Sequence, residues 1–184
     1  MAEEPMVAYD DILTLIAARR ARRPVRAYPV LDTLFRRLAA AGHPVEAVDT
    51  EDRIWDAWMH HPHRIAAEVL ARATDDIAAR RYDIAETRLT ALLRAAPDFA
   101  EAWHKRATLY YLLGRDEECL QDIRRTLELE PRHFAAMLHF AEIVLALDGR
   151  SADALRLACF AALTLHPHLD RARELLARTS TDKP

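Results

Sequence analysis

Residues 100–131, AEAWHKRATLYYLLGRDEECLQDIRRTLELEP, decide how the chain folds. Trp103, Ala107 and Tyr110 recur at i, i+4 and i+7, so a helix over Ala102–Leu113 carries one apolar face that can be buried. Gly114 supplies the stop, because a residue leaving a helix through the left-handed region is least strained without a Cβ. Asp116 predicts the N-cap of a second helix, and Glu117 and Glu118 put negative charge into its first turn. Cys119, Ile123, Leu127 and Leu129 form that helix's buried stripe, and Pro131 ends it. Neither helix can bury its apolar face alone, so the two must pack together and against neighbours.

The unit recurs. Pro62, Pro97, Pro131 and Pro167 are separated by 35, 34 and 36 residues. Before Pro97, Val69, Arg72 and Ala73 stand in the first helix, and Tyr82, Ala85, Leu89 and Leu92 in the second. Before Pro167, Met137, Phe140, Ala141, Val144 and Ala154 fit, with about two extra residues in the turn Asp148-Gly149-Arg150-Ser151. The unit before Pro62 is degenerate: Leu34, Leu38 and Ala41 fit its first helix and Ile54, Ala57 and Trp58 its second, while Ala47 to Asp49 replace the expected helix start.

This arrangement resembles the tetratricopeptide repeat, a 34-residue helix–turn–helix with Trp, small, Tyr, Gly and Pro at fixed places. With Ala100 as position 1, Trp103 falls at position 4, Ala107 at 8, Tyr110 at 11, Gly114 at 15 and Pro131 at 32. Arg106 at position 7, Cys119 at 20 and Thr126 at 27 depart from the pattern. Ile54-Trp55 with Trp58, the run Pro97–Tyr111 and Leu129–Phe134 resemble a group of short bacterial tetratricopeptide proteins, mostly without an assigned activity. The resemblance covers roughly Pro29 to Arg178 and implies an all-α, right-handed superhelical solenoid of antiparallel helix pairs with capping helices at both ends. The expected organisation is an N-terminal helix and Arg-rich segment (1–27), a degenerate first repeat or capping pair (28–65), three repeats (66–166) and a capping helix with tail (167–184).

Composition agrees. Half of the 184 residues are hydrophobic and only three are Gly, which suits packed helices. A net charge of −3 makes nucleic acid an unfavoured partner. No run approaches the ~18 apolar residues of a membrane span. The start MAEEPMVAYDD lacks a basic, apolar leader, and Cys119 and Cys159 sit in successive repeats rather than in a disulfide framework. A cytoplasmic protein is expected.

Outside the repeats, Ala8 to Arg20 predicts an amphipathic helix with Asp10 and Asp11 in its first turn. Five arginines between Arg19 and Arg26 either complement a helix end or grip RNA or another anionic ligand; the short, aromatic-free patch favours the former. Asp32 is expected to cap a helix over Thr33–Ala41, Thr50–His60 to form its mate, and Trp55 and Trp58 to cover the open end of the solenoid. His168–Arg178 reads as a solubilising last helix, followed by an unstructured tail from Thr179 to Pro184.

The chemistry-bearing residues point away from catalysis. His60-His61-Pro62-His63 is the densest histidine group, but Pro62 breaks it and no further ligand completes a set. No nucleophile elbow, phosphate loop or dinucleotide fingerprint occurs. No catalytic residue, metal site or cofactor is therefore expected. Arg37, Arg72 and Arg106 share position 7, normally a large apolar residue between the helices. Either each reaches an acid such as Asp122 or Glu86, or the three stack into a guanidinium ladder for an acidic partner.

In the repeat family the first helices line a concave groove, and register carries its positions onto Leu70, Thr74 and Ile77, then His104, Lys105, Thr108 and Tyr111, then Leu138, His139, Glu142 and Leu145. This mixed surface implies a protein-interaction module that takes a peptide segment. The protein's own N-terminal helix could also cover it. The Lys/Asn/Arg clamp for chaperone tails has no counterpart, since its places hold Leu70, Thr74, Lys105, Ala135 and His139.

Overall fold

A computed structural model describes residues 4–26, 28–146 and 152–180, and all regular structure among them is helical. α1 (Glu4–Ala18) runs into a single 3-10 turn, Arg19–Ala21. α2 (Pro29–Ala39) and α3 (Pro44–Met59) form an antiparallel pair. Three more pairs follow: α4 (Arg64–Ala78) with α5 (Tyr82–Ala95), α6 (Ala100–Leu112) with α7 (Asp116–Leu129), and α8 (Phe134–Ala146) with α9 (Ala152–Leu165). α10 (Asp170–Ser180) packs on α9 and α8. The last three pairs pack in series, α5 on α6 and α7 on α8, so this part of the chain stacks as a helical repeat. The inserted turn Asp148–Ser151 lies outside the described residues.

Turn chemistry explains the period. Gly114 has φ +67°; Arg115 N–H donates to the Tyr110 carbonyl (2.9 Å) and Gly114 N–H to that of Tyr111 (3.1 Å), closing α6 with a Schellman motif. The turn after α4 repeats these bonds, Arg81 to Asp76 and Arg80 to Ile77, with Arg80 at φ 57° in the glycine place.

Several helix starts differ from the sequence reading. α2 begins at Pro29, because proline at N1 loses no hydrogen bond, and Asp32 falls inside the first turn rather than capping it. α3 likewise begins at Pro44, six residues before the expected Thr50, and the His43 ring accepts the Val45 N–H at 3.3 Å. Arg115, not Asp116, is the N-cap of α7; Asp116, Glu117 and Glu118 occupy its first turn. α10 continues through Thr179 and Ser180, which were expected in the tail; residues 181–184 lie outside the described residues.

Two apolar clusters fill the interior. One joins α4, α5 and the near face of α6 through Leu70, Leu89 and Leu109; the other joins α1 to α3 with α7 to α10. α1 packs against α7 and α9, the second helices of their units, so it lies away from the groove. Ile12 and Ile16 are fully buried there, each worth at most about 1.5–3 kcal/mol. Tyr9 reaches Phe140, ring centroids 5.2 Å apart. The α2–α3 pair runs along the turns that join one unit to the next. Phe35 packs edge-on to Phe134, Arg132 pairs with Asp32 (2.6 Å), Glu51 bonds His166 (2.9 Å), and His168 donates to the Ala41 carbonyl (2.9 Å).

Candidate binding groove and its buried polar cluster

The groove positions fall on α4, α6 and α8. Thr74, Ile77, Lys105, Thr108, Leu138, His139, Glu142 and Leu145 are half-buried, and Tyr111 is exposed. Leu70 and His104 are buried, Leu70 against the α4–α5 core and His104 beneath Trp55 of α3. Tyr111 and His139, ring centroids 5.4 Å apart, join α6 to α8 on the open part of the wall. Glu142 is held by Arg171 of α10 at 2.8 Å. Hydroxyls of Thr74 and Thr108 donate back to the carbonyls of Leu70 and His104.

Tryptophans of α3 cover the starts of α6 and α8 beside the expected groove positions. Trp58 lies flat on His133 (4.1 Å, 5° between planes), and Trp55 is stacked on His104 at 6.1 Å with the Lys105 ammonium 5.2 Å from its ring. The two tryptophans cover the starts of α6 and α8, not a free end of the stack. Beneath them Glu101, wholly buried on the first turn of α6, meets three cationic or neutral partners. Its Oε2 lies 2.9 Å from His133 Nε2, and its Oε1 lies 3.6 Å from His104 Nδ1 and 3.1 Å from Lys105 Nζ. The Ala136 N–H donates to His133 Nδ1 (3.2 Å), so His133 carries its proton on Nε2 and donates it to Glu101.

Electrostatics follow from burial. Burial, reinforced by His133, pushes His104 down to about 3, so its imidazole is neutral. Burial works against the Glu101 carboxylate, but its contacts with His104, His133 and Lys105 hold it well below the usual carboxylate range. Burial also lowers His139. Both ring nitrogens of His104 and Nδ1 of His139 find no hydrogen-bond partner although buried. Such orphaned groups are rare in a folded interior and need an explanation.

No spacing in the sequence marks this cluster. Glu101 and His104 lie three apart on α6, but His133 is contributed by the turn before α8, and only stacking brings it to them. The densest histidine run went elsewhere: His61 is buried against Phe99 (4.7 Å) near Asp98, while His60 and His63 are exposed.

The arginines are used unequally. Arg106 makes a bidentate pair with Asp122 (2.7 and 2.9 Å) and lies 4.9 Å from the Trp103 ring. Arg37 is exposed with Asp49 at 3.6 Å, and Arg72 is exposed, so position 7 forms no ladder. Glu86 is taken by Arg115 at 2.9 Å. In the N-terminal segment Arg22 donates to the Leu127 and Glu128 carbonyls at 3.0 Å, completing the C-terminal end of α7. Arg19 bonds the Ile16 carbonyl and Arg26 pairs with Asp98, leaving Arg20 and Arg23 exposed.

Stacked helix pairs, a Schellman turn between the helices of the α4–α5 and α6–α7 pairs, and tryptophan, alanine and tyrosine at positions 4, 8 and 11 of residues 100–131 define a helical-repeat protein that resembles the tetratricopeptide type. The chain is similar to a TPR repeat-containing protein of Rhizobium etli, 31% identical over 114 residues. The match covers 62% of this chain and 56% of the relative, so the chain spans about half the length of that curated relative. No family model matches the chain. Among the described residues no helix is long and apolar enough to cross a membrane.

Proposed function

We propose that the protein is a non-enzymatic interaction module that takes a peptide segment of another protein against the first helices of its repeats. The observation that supports it most is the pairing of exposed Tyr111 with half-buried His139 across α6 and α8, flanked by Thr108, Leu138 and Leu145. Apolar surface with a few hydrogen-bonding groups on rigid helices suits an extended or helical segment, whose own backbone and apolar side chains need both.

The test is selection of binding peptides from a displayed library on the immobilised full chain. Tyr111→Ala should weaken selected peptides at least about tenfold, the loss typical of an aromatic anchor, while Ile84→Ala on exposed α5 leaves them unchanged. Peptides indifferent to Tyr111→Ala and Leu138→Arg would refute the groove. The Arg-rich segment is the competing route, and Arg20→Glu/Arg23→Glu would abolish binding of anionic ligands or RNA if it were the site.

A further inference from the structure

We propose that Glu101, His104 and His133 bind a divalent transition-metal ion, with zinc(II) the ion whose preferences their donor set meets. One donor atom from each side chain, a carboxylate oxygen and two imidazole nitrogens, lies within 4.8 Å of the others, and all three residues are buried. Glu101 presents Oε2 2.9 Å from His133 Nε2 and Oε1 3.6 Å from His104 Nδ1, each close to the about 3.3 Å that separates neighbouring ligands of one zinc ion with bonds near 2.0 Å. Two imidazoles and a carboxylate form a zinc-type set with one position left for water; magnesium and calcium would need more oxygen donors.

A second observation points the same way. His104 is 4% exposed, and neither ring nitrogen has a hydrogen-bond partner; Glu101 Oε1, the atom facing its Nδ1, is buried and meets only the Lys105 ammonium. A cation at this point satisfies His104 Nδ1 and Oε1 together. His139, whose buried Nδ1 is also unpartnered and whose ring is 5.2 Å from that of His104, stands next to the open position.

Two groups compete with the metal. Lys105 Nζ, 3.1 Å from Oε1, neutralises the same carboxylate, but its flexible stem is partly exposed and can swing out. His133 must move its proton from Nε2 to Nδ1 and give up the bond from Ala136 N–H, so metal uptake is coupled to the first turn of α8. Losing one such cap bond weakens binding by roughly five- to tenfold, a small part of what a three-ligand zinc site supplies.

The test uses the full chain, freed of any affinity tag and treated with chelator, titrated with zinc(II) and cobalt(II). One equivalent should bind, and the cobalt form should show the visible d–d bands of a four- or five-coordinate ion without a thiolate charge-transfer band. Glu101→Gln and His104→Asn should each lose at least about thirtyfold in affinity, since even the groups that only orient a metal's ligands are worth about 10- to 100-fold. Lys105→Met should tighten binding, an effect that a purely structural role for the cluster does not give. The proposal is overturned if the wild-type protein takes up no zinc at tens of micromolar, if cobalt gives only a weak six-coordinate spectrum, or if uptake survives His104→Asn and disappears in His60→Asn/His63→Asn. None of these readouts depends on a peptide ligand.

Discussion

The α4–α5 pair and the α6–α9 block are built from the same repeat, yet only the second is clothed. α1 lies across α7 and α9, and α2–α3 run along the turns of the later units, whereas α5 keeps Ile84 exposed. Position 7 shows what the cover does. In α4 it holds Arg72, exposed; in α6 Arg106, drawn inward and clamped by Asp122; in α8 Phe140, fully buried with Tyr9 upon it. A charge is tolerated where water reaches, needs a partner where it does not quite, and gives way to a ring where another helix seals the site. The first unit carries an ion pair of its own on the opposite helices: Asp76 of α4 is gripped by Arg88 of α5 (2.9 Å) and by Arg81 (2.7 Å). The repeat thus specifies where two helices meet, and the surroundings select the chemistry that fills the contact.

Substitutions at position 7 should break this comparison most sharply. Phe140→Ala should destabilise by about 3–5 kcal/mol, as truncation of a buried aromatic does, and Arg72→Ala should stay within about 0.5 kcal/mol; equal effects in denaturant unfolding would show the cover to be irrelevant. Asp122→Ala comes next. It leaves the Arg106 guanidinium, 15% exposed, without its partner and should cost about 3 kcal/mol. Replacing both by apolar residues, Arg106→Met with Asp122→Leu, should restore most of that loss.

The covered block should also be the acid-sensitive one. His104 titrates near 3 in the folded chain against 6.5 when unfolded. Between those values the unfolded chain holds the extra proton, so stability is complete above about pH 6.5 and declines as pH falls below it. Thermal melts in chelator at pH 7.5 and 4.5 should show a drop of several degrees in the wild type and a smaller one in His104→Asn. The lowered His139 adds to the drop with the same sign. The smallest effects belong to the turns that close α4 and α6. Arg80→Gly, which relieves a left-handed arginine, should raise stability by about 1 kcal/mol, and Gly114→Ala should lower it by a similar amount.

Much of the architecture was legible because its causes are local. Evenly spaced prolines, Gly114 and the apolar spacing of Trp103, Ala107 and Tyr110 state the helix pairs within a few residues of one another. The starts at Pro29 and Pro44 were also readable from proline's fixed φ, but Asp32 offered a more familiar cap and the second helix was begun only at Thr50. The groove was legible only as a register. Its outward-facing members follow from the period, but Trp55 comes from a degenerate pair with no reliable register and covers His104.

The sequence by itself determined the helices, their turns and their pairing, because capping, periodicity and backbone strain act over distances of one or two turns. Only the tertiary structure decided which faces were sealed, which arginine found an acid, and that Glu101, His104 and His133 meet. Those outcomes depend on side chains contributed by separate units, and burial, which sets the strength of every charge among them, exists only once the units have stacked.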